Sequence, residues 1–156
     1  MNINTAEEQN IDKATSRPLG PVMSIEELRA FMKREFPQLG NAFEITEIGD
    51  GSATMQLNAD EQHLRPGGTV SGPSLFALAD VTAYAAILAH IGPVALAVTT
   101  NLNINFLRKP SPGTVKAVAH LLKLGKRLAV LDISLTDGTS SELVAHATAT
   151  YSIPPR

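Results

Sequence analysis

One carboxylate stands in the most apolar stretch of the chain. Asp80 lies within Leu75-Phe76-Ala77-Leu78-Ala79-Asp80-Val81-Thr82-Ala83-Tyr84-Ala85-Ala86-Ile87-Leu88. A carboxylate in such surroundings costs roughly several kcal/mol unless it finds hydrogen-bond partners or keeps its proton. It is therefore either well paired or useful. Just ahead of it, Thr69-Val70-Ser71-Gly72-Pro73 has the chemistry of a helix start. Pro73 fits a first helical position, where no amide donor is needed, and Ser71 or Gly72 fits the cap. Such an end presents unpaired N–H groups and the positive end of the helix dipole, which suit an oxyanion.

The other polar groups narrow the chemistry. Arg108, Lys109, Lys123, Lys126 and Arg127 fall at strand ends and turns, the ordinary place for solvated charge. Arg65 precedes the helix, where a guanidinium can hold a carboxylate or phosphate. His63 lies in a polar loop and reads as a surface or interface residue. His90 is near the helix end at Gly92, where a cation suits the dipole, and His120 and His146 fall in strands. No acid stands at ligand spacing beside a second histidine, so no metal site is expected. There is no cysteine, which rules out disulfides, thiolate metal sites and a cysteine nucleophile. A Ser-His-Asp triad cannot be assembled: Ser71 and Asp80 share one helix entry, and no histidine is placed to join them.

These groups belong to a chain of 156 residues with 13 basic and 15 acidic side chains. That length suits one domain with a real core, and the balanced charge points to neither nucleic acid nor an anionic membrane. Residues 1–22 are polar and aperiodic and are expected to form a loose tail, unlike a secretory signal; the chain reads as cytoplasmic. Residues 23–156 read as one domain. Ser24-Ile25-Glu26-Glu27 is a capping-box helix start, and the helix it opens, over 24–36, stops at Pro37. Its stripe of Ile25, Leu28, Phe31 and Met32 makes it a lid or flank.

Strands are predicted near 43–48 and 52–57, hinged at Gly49-Asp50-Gly51. The apolar run at 75–98 is interrupted by Asp80, His90 and Gly92-Pro93 and lacks flanking basic clusters, so it reads as a buried core helix and not a membrane span. Beyond it, Leu96, Val98, Thr100, Leu102, Ile104 and Phe106 alternate with Ala97, Thr99, Asn101, Asn103 and Asn105. Strands at 115–124 and 128–135 follow, then a last one with Leu143, Ala145, Ala147, Ala149 and Tyr151 facing inward. Tight turns make the late strands an antiparallel meander. With the early hairpin they form one curved sheet that can wrap the apolar helix, an α+β architecture.

The run His63-Leu64-Arg65-Pro66-Gly67-Gly68-Thr69-Val70-Ser71-Gly72-Pro73, followed by Leu78-Ala79-Asp80, resembles the signature of hotdog-fold acyl-CoA thioesterases, particularly the phenylacetic acid degradation type. Asn103-Ile104-Asn105-Phe106-Leu107-Arg108, Pro112-Gly113, Gly125-Lys126-Arg127-Leu128-Ala129-Val130 and Ala147-Thr148-Ala149-Thr150-Tyr151 extend the likeness over roughly residues 40–152. The resemblance implies a homodimer, or a dimer of dimers, with active sites at the subunit interface. It implies hydrolysis of a small or medium acyl-CoA, aromatic acyl groups included, without a cofactor beyond the coenzyme A of the substrate.

By position, Asp80 would be nucleophile or general base and the Gly72 amide would polarise the thioester carbonyl. Such a base contributes roughly 10²–10⁴ in rate and such a donor about 10²–10³. Ser71 would orient substrate or water, Arg65, Arg108 and Arg127 would meet the phosphates or a carboxylate, and Asn103 would reach the partner's site. Three positions depart from the family pattern: Arg65 replaces Asn, Ser71 replaces His and Pro73 replaces the second Gly. Pro73 has no N–H to offer an oxyanion. A non-catalytic acyl-CoA binding protein is the alternative; a hydratase would want histidine at Ser71, and a DNA-binding regulator would want a basic face.

Overall fold

The computed structural model describes residues 20–156, so most of the expected N-terminal tail lies outside the described residues. Helix α1 spans Ile25–Glu35, and Ser24 and Glu27 close the capping box reciprocally at 3.1 and 2.9 Å. Strands β1 (Phe43–Gly49) and β2 (Ser52–Asn58) form the early hairpin. Helix α2 spans Gly72–Ile91, and β3 (Val98–Phe106), β4 (Thr114–Leu124), β5 (Leu128–Asp137) and β6 (Leu143–Ser152) complete the chain.

All six strands join one antiparallel sheet in the order β1-β2-β4-β5-β6-β3. The late strands are therefore not a simple meander: β3 crosses over to pair with β6 and becomes an edge. The inner face supplies Met55, Leu57, Val115, Leu131, Ile133, Leu135 and Ile153, all essentially inaccessible to water. Helix α2 lies against this face. Every residue from Leu78 to His90 is buried except Asp80, which is half-buried. Thus α2 is long and apolar enough to cross a membrane, yet its apolar surface is taken up by the sheet.

The sheet departs from regular alternation where it matters most. The β3–β6 register slips between Thr99 and Asn101, so Thr100 is an extra residue. A bulge of this kind reverses which face the preceding side chains occupy. Thr99, expected in the outer row with Asn101 and Asn103, turns to the helix side, and Leu96 and Val98, expected inside, are 79% and 57% exposed.

Two histidines also differ from expectation. His63 is buried, accepts the Asp60 N–H at Nδ1 and meets Phe43 edge-on. His90 is buried rather than a solvated helix-end cation. Its Nδ1 donates to Ala86 O at 2.7 Å and its Nε2 accepts the Gly51 N–H at 2.9 Å, tying α2 to the β1–β2 turn. His120 and His146 flank Asp132 on the outer face of the sheet at 3.9 and 3.6 Å.

Candidate active site

Asp80 occupies the one break in the buried run from Leu78 to His90 of α2, and three elements meet there. From β3, the Thr99 hydroxyl donates to Asp80 Oδ1 at 2.6 Å. From β6, the Tyr151 phenol lies 2.6 Å from the same oxygen and 2.8 Å from the Asp80 main-chain carbonyl. Oδ2 has no hydrogen-bond partner among the described residues. Burial, reinforced by the Asp80 charge, pushes the Tyr151 phenol far above its usual range, so the phenol stays protonated and acts as a donor. The carboxylate is thus well paired through one oxygen and available through the other.

Tyr151 is itself held. Its ring stacks on Tyr84 with centroids 6.4 Å apart, and the Tyr84 hydroxyl donates to Ala95 O at 2.9 Å. Tyr84 in turn meets Phe36, at the end of α1, with centroids 6.3 Å apart. Phe36 lines a cavity of about 620 Å³ between α1 and the β1–β2 hairpin, walled by Met32, Leu39, Phe43, Ile45 and Met55. Leu75, in the first turn of α2, is 2% exposed and belongs to the core.

The start of α2 is built as its sequence dictates. Ser71 is the cap: its hydroxyl accepts the Ser74 N–H at 3.3 Å and donates to Ser74 Oγ at 2.9 Å, while its carbonyl accepts the Leu75 N–H. Pro73 has no N–H. That leaves the Gly72 amide as the first-turn donor without a partner among the described residues. The Phe106 ring packs beside Gly72, 3.5 Å from where a Cβ would stand. A tight loop, in which Arg65 N–H donates to Thr69 O and Gly67 and Gly68 take positive φ, delivers the chain to the cap.

The expected substrate-binding residues do not converge within one chain. Arg65, Asn103, Arg108 and Arg127 are all exposed. Asn103 sits on β3 opposite Thr148. Arg108 follows Phe106, at the sheet end marked by the Ala145–Leu135 pairing, whereas Arg127 precedes the Ala129–Tyr151 pairing and donates from Nε to Ile153 O. Those two levels are six residues apart along β5, roughly 20 Å. Asp80 belongs to the Tyr151 end and Gly72 to the Phe106 end.

Thr99 and Tyr151 are the site residues that sequence reasoning missed. Tyr151 carried a signal, a hydroxyl in an inward row that must find a partner when buried. Thr99 carried none, because the bulge that turns it inward leaves alternation on either side intact.

The profile of the thioesterase superfamily matches residues 67–144, a span that includes Gly72, Asp80 and Thr99. A protein named putative esterase from Saccharolobus solfataricus is 32% identical over 87% of this chain and 89% of its own length. The 1,4-dihydroxy-2-naphthoyl-CoA hydrolase of Listeria monocytogenes is 30% identical over 64% of this chain and 81% of its own. Among solved structures, a putative thioesterase from Silicibacter sp. superposes with a TM-score of 0.82 at 51% identity, covering 89% of this chain and 97% of that one. The phenylacetic acid degradation protein PaaI of Thermus thermophilus, solved as a mutant, gives 0.64 at 25% identity, covering 80% and 99%. The sheet-wrapped helix of these relatives is the hotdog fold, and the carboxylate and capped helix start found here lie inside the matched span. The chain belongs to the thioesterase superfamily.

Proposed function

We propose that the protein is an acyl-CoA thioesterase, hydrolysing a small or medium acyl-CoA, aromatic acyl groups included, to the free acid and coenzyme A in the cytoplasm. The observation that carries this is Asp80: a half-buried carboxylate with Oδ1 fixed by two hydroxyl donors and Oδ2 free, in a chain of this superfamily. The name of the Listeria relative supports both coenzyme A and an aromatic acyl group. The cavity of about 620 Å³ that reaches Phe36 is of a size that holds such a group.

Two copies build the site. Eight residues separate Gly72 from Asp80, about 12 Å along the helix axis, too far for both to act on one thioester carbonyl within a single chain. β3 is an edge strand with exposed Val98, Phe106 and Leu107. Pairing two such edges in a homodimer, alone or doubled into a dimer of dimers, covers these side chains and completes the sheet. The Gly72 amide of a second copy then serves the Asp80 site. Arg108 of one copy and Arg127 of the other become candidates for the phosphates of coenzyme A, with Arg65 and Asn103 at the same seam.

Asp80 Oδ2 accepts a proton from water as the water oxygen bonds to the thioester carbon. The carbonyl electron pair moves onto oxygen, where the Gly72 N–H stabilises it. Collapse re-forms the carbonyl and breaks the C–S bond, and the departing thiolate takes the proton from Asp80. Direct attack by Oδ2 through an anhydride uses the same groups. Ser71 acts as the helix cap that aims the Gly72 amide.

Pro73, which removes the second amide of the turn, favours a second reading, an acyl-CoA binding protein without turnover. Free-thiol release from acetyl- to long-chain acyl-CoAs and from phenylacetyl- and hydroxybenzoyl-CoA separates the two. Release by the wild type that Asp80→Asn loses supports hydrolysis. Binding of intact acyl-CoA with no thiol released supports the second reading.

A further inference from the structure

Tyr151 is a buried polar group that touches the candidate carboxylate without meeting the reacting atoms. It comes from the last strand, is 2% exposed, and lies 71 residues from the carboxylate it touches. Its oxygen is 2.6 Å from Asp80 Oδ1 and 2.8 Å from the Asp80 main-chain carbonyl, so one phenol spans the side chain and backbone of the same residue. The stack on Tyr84, whose own hydroxyl is tied to Ala95 O, keeps the ring from swinging away.

We propose that Tyr151 is a positioning residue: its phenol clamps Asp80 in one rotamer with Oδ1 turned into the protein, so that Oδ2 alone meets the water and the thioester. This rests on the thioesterase reading with Asp80 as the reacting carboxylate. The geometry explains why the phenol is needed beyond Thr99. A carboxylate held at one oxygen by a single hydroxyl still turns about its own axis, whereas a second hydroxyl, reaching Oδ1 from β6 while Thr99 reaches it from β3, fixes the plane. Burial and the Asp80 charge keep the phenol protonated, so it donates throughout the working pH range and takes no part in proton transfer. Correct placement of a reacting group is itself a large part of catalysis.

Tyr151→Phe keeps the ring and its stack and removes only the oxygen. The expected result is a fall in kcat of about tenfold with KM within about twofold, and a melting temperature within about 5 °C of wild type. A substrate-free readout accompanies this: the carbon-13 NMR signal of the Asp80 carboxyl at constant neutral pH, assigned by its loss in Asp80→Asn, shifts in Tyr151→Phe as the carboxylate loses a hydroxyl donor. Unchanged kcat and an unmoved signal overturn the clamp. A fall in kcat with an unmoved signal also overturns it, leaving Tyr151 a scaffold residue. If the wild type releases no thiol while the signal still moves, the thioesterase reading and the catalytic part of this proposal fall together, and the clamp on Asp80 stands as a structural fact.

Discussion

Thr99 reaches Asp80 at 2.6 Å because β3 carries one residue more than its partner strand. Without the bulge at Thr100, the pleat would send Thr99 outward with the asparagines, away from Asp80. The extra residue therefore converts an ordinary edge strand into part of the candidate site, a use of bulges that recurs where a side chain must be re-aimed.

Thr99→Val keeps the shape of the side chain and removes the donor. We expect kcat to fall about tenfold, the scale of a hydrogen bond to a charged group, while Thr99→Ser retains most of the rate. Steady-state thiol release from the best acyl-CoA decides it. A valine variant as fast as wild type would show that Thr99 does not support the reacting carboxylate.

Much of this site was legible before any coordinates. A lone carboxylate among alanines, leucines and valines demands an explanation by its desolvation cost alone, and Ser71-Gly72-Pro73 spells a capped helix start through its turn chemistry. What stayed hidden is what depends on distant partners. The alternation around Thr99 is regular on both sides, so a period of two cannot locate the bulge. His90 reads as a helix-end cation because its partner, the Gly51 amide, lies 39 residues away. Sequence likewise gives no hint that β3 crosses to the far side of β6, since tight turns between later strands suggest simple neighbours.

The separation of Gly72 and Asp80 along α2 makes a strong prediction for mixtures. Asp80→Asn loses the carboxylate, and Gly72→Pro loses the amide. Each homodimer should be inactive, but co-refolded chains should recover up to about a quarter of wild-type rate, since half the dimers are mixed and each has one intact site of two. Melting curves establish that both variants fold. No recovery from two folded variants would place both groups in one chain and remove the shared site.

Asp137 makes the fold acid-sensitive in a defined window. Its Oδ2 accepts the Ser111 N–H at 2.6 Å, and its Oδ1 accepts those of Thr139 and Ser140 at 2.8 and 3.2 Å, joining two turns. These bonds, Ser111 foremost, hold its carboxyl down from 3.8 to about 2. A depressed folded-state value means the stabilisation is fully present above 3.8 and is lost as pH falls through about 2. Asp137→Ala should therefore lower stability by about 2 kcal/mol at neutral pH, and the gap to wild type should close in strong acid. Urea midpoints measured at neutral pH and near the lower end of that window test it; a gap of constant size would mean the carboxylate charge is not what joins the turns.

His90 offers a test of how far stability and chemistry are separable on one helix. It lies ten residues beyond Asp80, about 15 Å along the axis, and its ring links Ala86 O to the Gly51 N–H in a buried setting. His90→Phe fills similar space but supplies neither bond, and leaves the Gly51 donor in search of water. We expect a loss of about 2 kcal/mol, which for a chain of this size lowers the melting temperature by about 4–8 °C. Thiol release below that temperature should match wild type, because nothing at Asp80, Thr99 or Tyr151 depends on the tie. A variant that melts normally would show the bond to be incidental. One that melts normally yet loses rate would mean that the β1–β2 turn, through His90, sets the placement of α2 within the site.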